Sequence, residues 1–454
     1  MRFIVVALFI LPVNCIAQTD FCQTLNTAMS ALGAAGGVVD MRSVAGTQAC
    51  LTDPFSTPTQ IAAPITLLLG NVTVNVTART VYSSYVTLAW RVPGNISILG
   101  TPSAVPVGTF GISSGTVLNF LPTAPVTSAI GLLGGQVDVG YFSAIGNSNV
   151  GRLIDARAQS YVRIHNLSLS TAGYIPPSGP NAGIAAGTGG TDVWISDNTI
   201  TKIGVPASVN SASSDIYVDT SATGNPHYHI RNNQISGSSA NISIVCFDCV
   251  DSDAIGNQVD QNNSISDAKI SGGYGIAFYV VSAGSVQNIR IDGNNVTNTA
   301  GSGIYCVGCS HTSISNNVVS HVAQQQWDTS LPVGCVSVNG FDHGSVVGNV
   351  CYGSVKDGFS IASAGYTPLI AGSVFSGNTV HNVAGNGFNF RSNSILKNFA
   401  VTDNTVDQVP GASLNAFSIF TGVTVQSAIF TGNNASGGTY NLTACSSCVI
   451  ANNL

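Results

Sequence analysis

The chain has 454 residues, and only 7% of them are charged, against about 25% in a typical soluble protein. All 20 acidic residues are Asp, and without Glu and with few Lys the chain lacks the usual helix formers, which predicts a β-protein. The net charge of −6 and the absence of a basic patch argue against nucleic acid as a partner.

The first 17 residues predict an export signal. Arg2 precedes an apolar run from Phe3 to Val13, and we expect cleavage after Ala17. The run is too short to span a bilayer, and no later stretch is suited to do so. We therefore expect a secreted or cell-surface protein, extracellular or periplasmic. Loss of Cys15 would leave ten of the 11 Cys in oxidising surroundings, where disulfides form.

A repeat dominates residues 193–454. Segments such as WISDNTI, HIRNNQI, RIDGNNV and VFSGNTV place Asn between two apolar positions, and alternating segments such as YGIAFYV and DGFSIAS precede most of them. This pattern predicts three short strands in each repeat. The mean spacing is near 28 residues, and the shared Asn lies at positions 198, 233, 257, 294, 317, 349, 378, 404, 433 and 453.

Such a repeat predicts a solenoid. Three short strands cannot bury their own apolar face, so the units must stack on one another. Parallel stacking would place equivalent residues about 4.8 Å apart. The repeated Asn could then bond to the same Asn in the next coil, and we expect it to adopt the left-handed backbone of a tight corner.

The repeat resembles the right-handed parallel β-helix of the pectate-lyase-like superfamily, in which an Asn ladder occupies the turn between the second and third strands of each coil. The resemblance implies an all-β solenoid over residues 61–454, with NISILG (Asn95 to Gly100) and VRIHNLSLS (Val162 to Ser170) as earlier coils. It also implies an N-terminal cap in residues 18–60. Within it, Phe21 to Ser43 has the pattern of an amphipathic helix, a Gly-Gly turn and a first strand, and such a cap shields the open end.

The Cys spacing favours disulfides over a metal or redox site. We expect Cys22 to pair with Cys50 across the cap. Two of the three C-x-x-C segments lie two coils apart, on the order of 10 Å, which is too far to share one zinc ion. We place Cys309 in a turn after its strand and expect local disulfides within each segment, with free thiols as the alternative, at Cys246–Cys249, Cys306–Cys309 and Cys445–Cys448. Pairing of Cys335 with Cys351 stays open.

The resemblance implies that substrate lies along the outward face of the first strands. Alternation points Ile216 and Val218 inward, together with their equivalents in later coils. The outward positions would then be Asp215, Tyr217, Asp219, Ser243, Ala277, Tyr279, Tyr305, Ser337, Asn339, Ser360, Asn389 and Arg391. Small polar groups interspersed with Tyr suit a sugar chain, because Tyr rings stack on sugars. An ordinary solvated sheet face is the alternative.

Three functions fit this face. The first is a polysaccharide lyase acting on an acidic polymer, with Lys269, Lys356 or Arg391 as base and Ca²⁺ held by Asp215 and Asp219. The second is a glycoside hydrolase using the paired Asp215 and Asp219. The third is a non-catalytic scaffold that binds polysaccharide. We expect a carbohydrate-active monomer that binds its polymer through Tyr217, Tyr279, Tyr305, Trp327, Asn339 and Asn389.

Overall fold

The structure is a computed structural model that describes residues 20–55, 60–83, 86–101, 115–174, 176, 179–187, 189–204, 213–220, 227–238, 240–261, 273–281, 285–324, 333–362, 369–391, 395–407, 415–420, 423–436, 439–442, 445 and 447–454. These residues form a right-handed parallel β-helix with three strands per coil, which confirms the predicted fold. The predicted export signal and the candidate residues Lys269 and Trp327 lie outside the described residues.

A short helical cap closes the N-terminal end. An α-helix spans Phe21–Leu32, and a 3-10 turn at Gly33–Ala35 follows it. The Asp20 carboxylate accepts a hydrogen bond from the backbone N–H of Cys22 at 3.1 Å, which caps the helix. Phe21, Cys22 and Leu25 are buried and form the apolar side of the helix. The predicted capping helix is therefore confirmed.

Two of the long sheets are built from the second and third strands of the coils. In the described part of the chain, sheet A has 15 strands: Gly37–Met41, Gln60–Leu69, Gly94–Leu99, Val137–Gly140, Val162–His165, Val193–Ser196, Tyr228–Arg231, Asp253–Ile255, Arg290–Asp292, Ser313–Ser315, Ser345–Val347, Val374–Ser376, Phe399–Thr402, Ala428–Thr431 and Cys448–Ala451. Over the same residues, sheet B has 13: Gly46–Cys50, Val72–Val76, Val117–Phe120, Ser143–Ile145, Ser168–Ala172, Thr199–Ile203, Gln234–Ser236, Gln258–Asp260, Asn295–Thr297, Val318–Ser320, Val350–Tyr352, Thr379–His381 and Thr405–Asp407.

Sheet C contains the first strand of each coil. Its described strands are Thr80–Ser83, Val86–Val92, Val126–Leu132, Val150–Arg157, Asn181–Gly187, Ser213–Asp219, Ile242–Phe247, Tyr274–Tyr279, Ile304–Ser310, Gly334–Asp342, Asp357–Ala362, Phe388–Phe390, Asn415–Ile419 and Thr439–Asn441, with Val286–Gln287 beside Ile304–Ser310. A small fourth sheet joins Leu369–Ala371, Ile395–Lys397 and Thr424–Val425. Among the described strands, neighbours are parallel except at the first pair of sheet C, which is antiparallel.

The ten repeated Asn form one hydrogen-bonded ladder between sheets A and B. At Asn294, the side-chain amide donates to the Oδ1 of Asn317 at 2.9 Å and to the carbonyl oxygen of Ala254 at 2.8 Å. Its own Oδ1 accepts from the backbone and the side chain of Asn257. The left-handed residue of the turn is the one before each ladder Asn, as at Asn316 with φ 55°, so that detail of the prediction was wrong.

The interior is filled by apolar columns, one residue from each coil. Ile216, Val218, Ile276 and Phe278 are fully buried, as alternation predicts. Near the C-terminal end the column becomes aromatic, with the Phe359 and Phe388 rings stacked at 4.6 Å between centroids. Stacked coils therefore bury a continuous core that one coil alone could not form.

Disulfides join ten Cys within the described residues. Cys22 in the helix is bonded to Cys50, with the Cα atoms 5.0 Å apart. The other bonds are Cys246–Cys249, Cys306–Cys309, Cys335–Cys351 and Cys445–Cys448. The predicted place of Cys309 was wrong: it lies within the strand Ile304–Ser310, because the backbone resumes pairing after the left-handed Gly308.

The ladder makes a specific prediction about stability. Replacing the buried Asn294 with Ala should lower the free energy of unfolding by about 3 to 5 kcal/mol, because it leaves several buried polar groups without partners. The exposed neighbour Asn295→Ala is the matched control and should change stability by less than about 0.5 kcal/mol. Urea unfolding followed by circular dichroism measures both. Equal effects of the two substitutions would contradict a stabilising ladder.

Candidate functional site

The outward face of sheet C gathers ionisable, aromatic and amide side chains from successive coils. The register aligns Asp155, Ala185, Tyr217, Val245 and Ala277 in one outward row. The row continues in later coils through Tyr305, Ser337, Ser360 and Asn389. From the strand Val150–Arg157 to Phe388–Phe390 there are eight steps of about 4.8 Å, so the face is roughly 40 Å long.

Asp215 and Ser243 do not lie on this face, and their predicted outward orientation was wrong. Asp215 is fully buried, although Tyr217 two residues later is outward. Gly183 occupies the equivalent position one coil earlier, and a Cβ there would lie 2.9 Å from the Ile200 side chain in sheet B. The strands bend at this point, so two consecutive residues face the interior. Alternation alone does not predict such a bend.

The interior position makes Asp215 a buried acid. The Ser238 hydroxyl, which lies just after a strand of sheet B, donates to Oδ1 of Asp215. Burial raises the pKa of Asp215 to about 7, and the hydroxyls of Ser238 and Ser243 oppose this shift. Asp215 and Asp219 thus lie on opposite sides of one strand. They fit neither a shared Ca²⁺ site nor the carboxylate pair of a glycosidase.

An ionic cluster, formed by Arg152, Asp155, Arg157, Tyr217 and Asp219, lies at one end of the face. Both Nε and Nη2 of Arg157 donate to the Asp155 carboxylate at 2.9 Å, and Nη1 of Arg152 donates to it at 3.0 Å. The Tyr217 hydroxyl donates to Asp219 at 2.9 Å. The electrostatic coupling of Tyr217 to both guanidinium groups links these pairs across three coils.

The coil that separates Arg152 and Arg157 from Tyr217 presents small residues, which leave room for the charged groups to meet. The next strand presents Ala182, Ala185 and Gly187 outward. The guanidinium groups reach over this coil, since a Cβ on Gly179 would lie 3.0 Å from Nη2 of Arg152 and 3.6 Å from Nη1 of Arg157. Sequence reasoning missed the two Arg and Asp155. The available signal was R-x-x-D-x-R within one strand, followed by G-I-A-A-G in the next coil.

Two members of the ionic cluster, Arg152 and Asp155, are buried, whereas Arg157, Tyr217 and Asp219 are half-buried. Arg152 is fully buried and Asp155 is 7% exposed. Burial alone would raise the pKa of Asp155, but the two Arg and the Ser128 hydroxyl lower it to about 2. Burial and the neighbouring Asp219 raise the pKa of Tyr217, which therefore stays protonated and donates its hydrogen bond. Clusters of perturbed ionisable groups are typical of functional sites.

An aromatic patch follows along the helix axis and consists of Tyr217, Phe247, Tyr274, Tyr279 and Tyr305. The Phe247 and Tyr279 rings meet edge to face at 4.4 Å, and the Tyr274 and Tyr305 rings stack at 4.5 Å between centroids. The patch packs separately from the core and includes the predicted positions Tyr217, Tyr279 and Tyr305. It also adds Phe247, which the sequence analysis did not single out.

A polar end completes the face and consists of Ser337, Asn339, Asp357, Asn389 and Arg391. The Asn389 side-chain amide donates to Asp357 at 2.6 Å. Burial raises the pKa of Asp357, while Asn389 and the charge of Arg391 lower it in part. Asn339 and Asn389 are 2% and 7% exposed. Lys356, half-buried, immediately precedes Asp357, and its carbonyl oxygen accepts from the backbone N–H of Gly385, whereas the backbone N–H of Arg391 donates to the Ile361 carbonyl. The predicted Asn339 and Arg391 therefore lie near one end of this strand pair and Lys356 near the other, with Asn389 between them.

Among the described residues, one group of three potential ligand side chains has its ligand atoms close enough together to hold a metal ion. The cluster found there joins Asp20 with Cys22 and Cys50, and both sulfurs are already bonded to each other. It lies at the N-terminal cap, away from the face of sheet C. Among the described helices, none has the length and hydropathy required to cross a membrane.

Comparisons with known proteins give similarity in structure only. No protein-family model matches the sequence, and no curated protein sequence matches it. The periplasmic alginate epimerase AlgG has a TM-score of 0.44 at 15% identity, over 86% of this chain and 85% of that one. The A-module of the mannuronan C-5 epimerase AlgE6 from Azotobacter vinelandii has a TM-score of 0.43 at 13% identity, over 92% and 96%.

The catalytic unit of a GH87 alpha-1,3-glucanase from Streptomyces thermodiastaticus gives a TM-score of 0.43 at 12% identity, over 93% of this chain and 67% of that one. Similarity at this level concerns the course of the backbone and does not extend to the chemistry of individual residues.

The buried acid predicts how stability depends on pH. The folded pKa of Asp215 is about 7, above the ordinary value of 3.8, so the folded protein retains a proton that the unfolded chain releases between these values. The free energy of unfolding should therefore fall as the pH rises from about 4 to 7, by up to ~4 kcal/mol from this group. Asp215→Asn cannot ionise, so it should be more stable than the parent protein at pH 8 and similar to it at pH 4.

Denaturant midpoints at both pH values test this prediction. Asp197→Asn is a control, because Asp197 is exposed at a turn whose left-handed backbone Asn tolerates. If Asp215→Asn destabilises the protein equally at both pH values, the carboxyl is not the source of the pH dependence.

Proposed function

We propose that the protein binds an extended polysaccharide along the outward face of sheet C. The observation that carries the proposal is the assembly of the ionic cluster, the aromatic patch and the polar end on one continuous face. A structural scaffold would scatter such groups, whereas this chain has only 14 Lys and Arg and places three of its Arg there. A face roughly 40 Å long suits a linear polymer better than a small ligand.

The chemistry of the face favours an acidic polysaccharide. The half-buried Arg157 lies at one end, and the half-buried Lys356 and Arg391 lie at the other, so partly exposed cations flank the aromatic patch. Arg presents a planar fork that matches a carboxylate, and Tyr rings stack on the apolar faces of sugars. The binding residues we propose include the Tyr of the aromatic patch with Asn339 and Asn389, while Trp327 stays a prediction outside the described residues.

The reaction we propose is β-elimination by a polysaccharide lyase. In that chemistry a base removes the proton from C5, next to the uronic-acid carboxylate, and nearby cations stabilise the developing negative charge. The C4–O glycosidic bond then breaks as the C4=C5 double bond forms, and the departing glycosidic oxygen takes up a proton. Lys269, Lys356 and Arg391 remain the proposed bases. The hydrolase alternative loses support, because Asp215 faces the interior and does not pair with Asp219.

Removal of one ring tests polysaccharide binding. Tyr279→Ala should raise the Kd for the bound polymer about tenfold, because a stacking contact of ~1 to 2 kcal/mol is lost. Tyr352→Ala, on the outward side of sheet B and 39% exposed, is the matched control and should bind normally. Affinity electrophoresis in gels with polygalacturonate or alginate measures the change. Binding that both substitutions reduce equally, or no binding at all, would refute the proposal.

The lyase reaction predicts unsaturated products. The double variant Lys269→Ala/Lys356→Ala should lower kcat by a factor on the order of 10², as lost general-base catalysis does. Ultraviolet absorbance of unsaturated uronic acids follows the reaction. Unchanged turnover in the double variant would exclude both Lys as bases. Binding without any turnover in the parent protein would leave a non-catalytic polysaccharide-binding scaffold as its function.

A further inference from the structure

A second concave surface lies on the outward side of sheet B. It is a cavity of about 500 Å³ that spans five consecutive strands, from Ser168–Ala172 to Asn295–Thr297. That volume is within the usual range for ligand pockets, roughly 300 to 1,000 Å³. The cavity belongs to a different sheet from the face described above and shares no lining residue with it.

One row of the cavity carries amide groups without partners. The register aligns Thr199, Gln234, Gln258 and Asn295 in consecutive coils. Gln234, Gln258 and Asn295 are exposed, and their side-chain amides make no hydrogen bond to another residue in the described structure. Each primary amide offers two donor hydrogens and an acceptor oxygen. Three such groups, one per coil, therefore face the cavity with their full hydrogen-bonding capacity.

A second row of side chains, beside the amide row, limits the charge of the ligands that the cavity can bind. It contains Ser236, Asp260 and Thr297, and Asp260 accepts a hydrogen bond from the Asn298 amide at 3.0 Å. The described lining residues include no Lys or Arg, so none of them would offset the repulsion between Asp260 and an anionic polymer. An apolar ligand is disfavoured too, because it would bury the amides without partners. A neutral ligand rich in hydroxyl groups remains.

We propose that this cavity binds a neutral polysaccharide, running parallel to the helix axis. The amide and hydroxyl rows repeat every 4.8 Å or so, a distance comparable with one pyranose unit of an extended glycan. Each coil then offers one amide and one hydroxyl or carboxylate oxygen to one sugar. This site would bind a second polysaccharide chain, or a neutral segment of the same chain, independently of binding on the face of sheet C.

Affinity electrophoresis of the full chain tests this site. The probes are a soluble neutral β-glucan, dextran as a neutral α-glucan, and polygalacturonate. We expect retention by a neutral glucan and a Kd about tenfold higher in the double variant Gln234→Ala/Gln258→Ala, because hydrogen bonds from two coils are lost. Thr379→Ala and Thr405→Ala, in the same row beyond the cavity, should leave the Kd unchanged.

Tyr279→Ala separates this site from the face of sheet C. It should weaken binding on sheet C without changing the Kd for the neutral glucan. The inference is overturned if neither neutral glucan is retained, if the double Gln variant binds normally, or if Tyr279→Ala abolishes retention. It is also overturned if light scattering shows a dimer that the Gln substitutions dissociate, because the surface would then be an interface between two copies.

Discussion

The Asn ladder is the interaction on which the rest of the structure depends. It runs without interruption from Asn198 to Asn453, and every step joins two side chains at hydrogen-bond distance, both of them buried except at the last step, where Asn453 is half-buried. Such a bond is costly to break, because the released amide would remain buried without a partner. The ladder therefore holds each coil directly above the previous one at the turn between sheets A and B. Register slips of the strands would break it.

A fixed register has a consequence for function, because it aligns the side chains of successive coils in columns along the helix axis. Residues far apart in sequence, such as Asp155 and Tyr217, lie in one row because every coil repeats the same path. The ionic cluster, the aromatic patch and the polar end form a continuous face for this reason. The amide row of sheet B follows from the same constraint, applied to another side of the solenoid.

The ionic cluster is difficult to explain by stability alone. Burying charge is costly, and an apolar replacement of a buried ion pair is often as stable. This chain has few charges, yet it holds Arg152 fully buried against Asp155. The small residues Ala182, Ala185 and Gly187 in the next coil leave the space that the guanidinium groups fill. Clusters of perturbed ionisable groups are typical of functional sites, which is why our proposal includes this end of the face.

The sequence by itself determined the repeat, the ladder positions and the inward column of Ile216, Ile276 and their equivalents. These depend on local periodicity, which residue types in one strand record directly. Only the tertiary structure decided that Asp215 faces the interior, because the bend arises from packing against sheet B. It also decided that Arg157 and Tyr217 converge, since that contact depends on which coil has room between them. Periodicity records which side of a strand a residue prefers, whereas contacts across coils depend on the shape and spacing of the stacked chain.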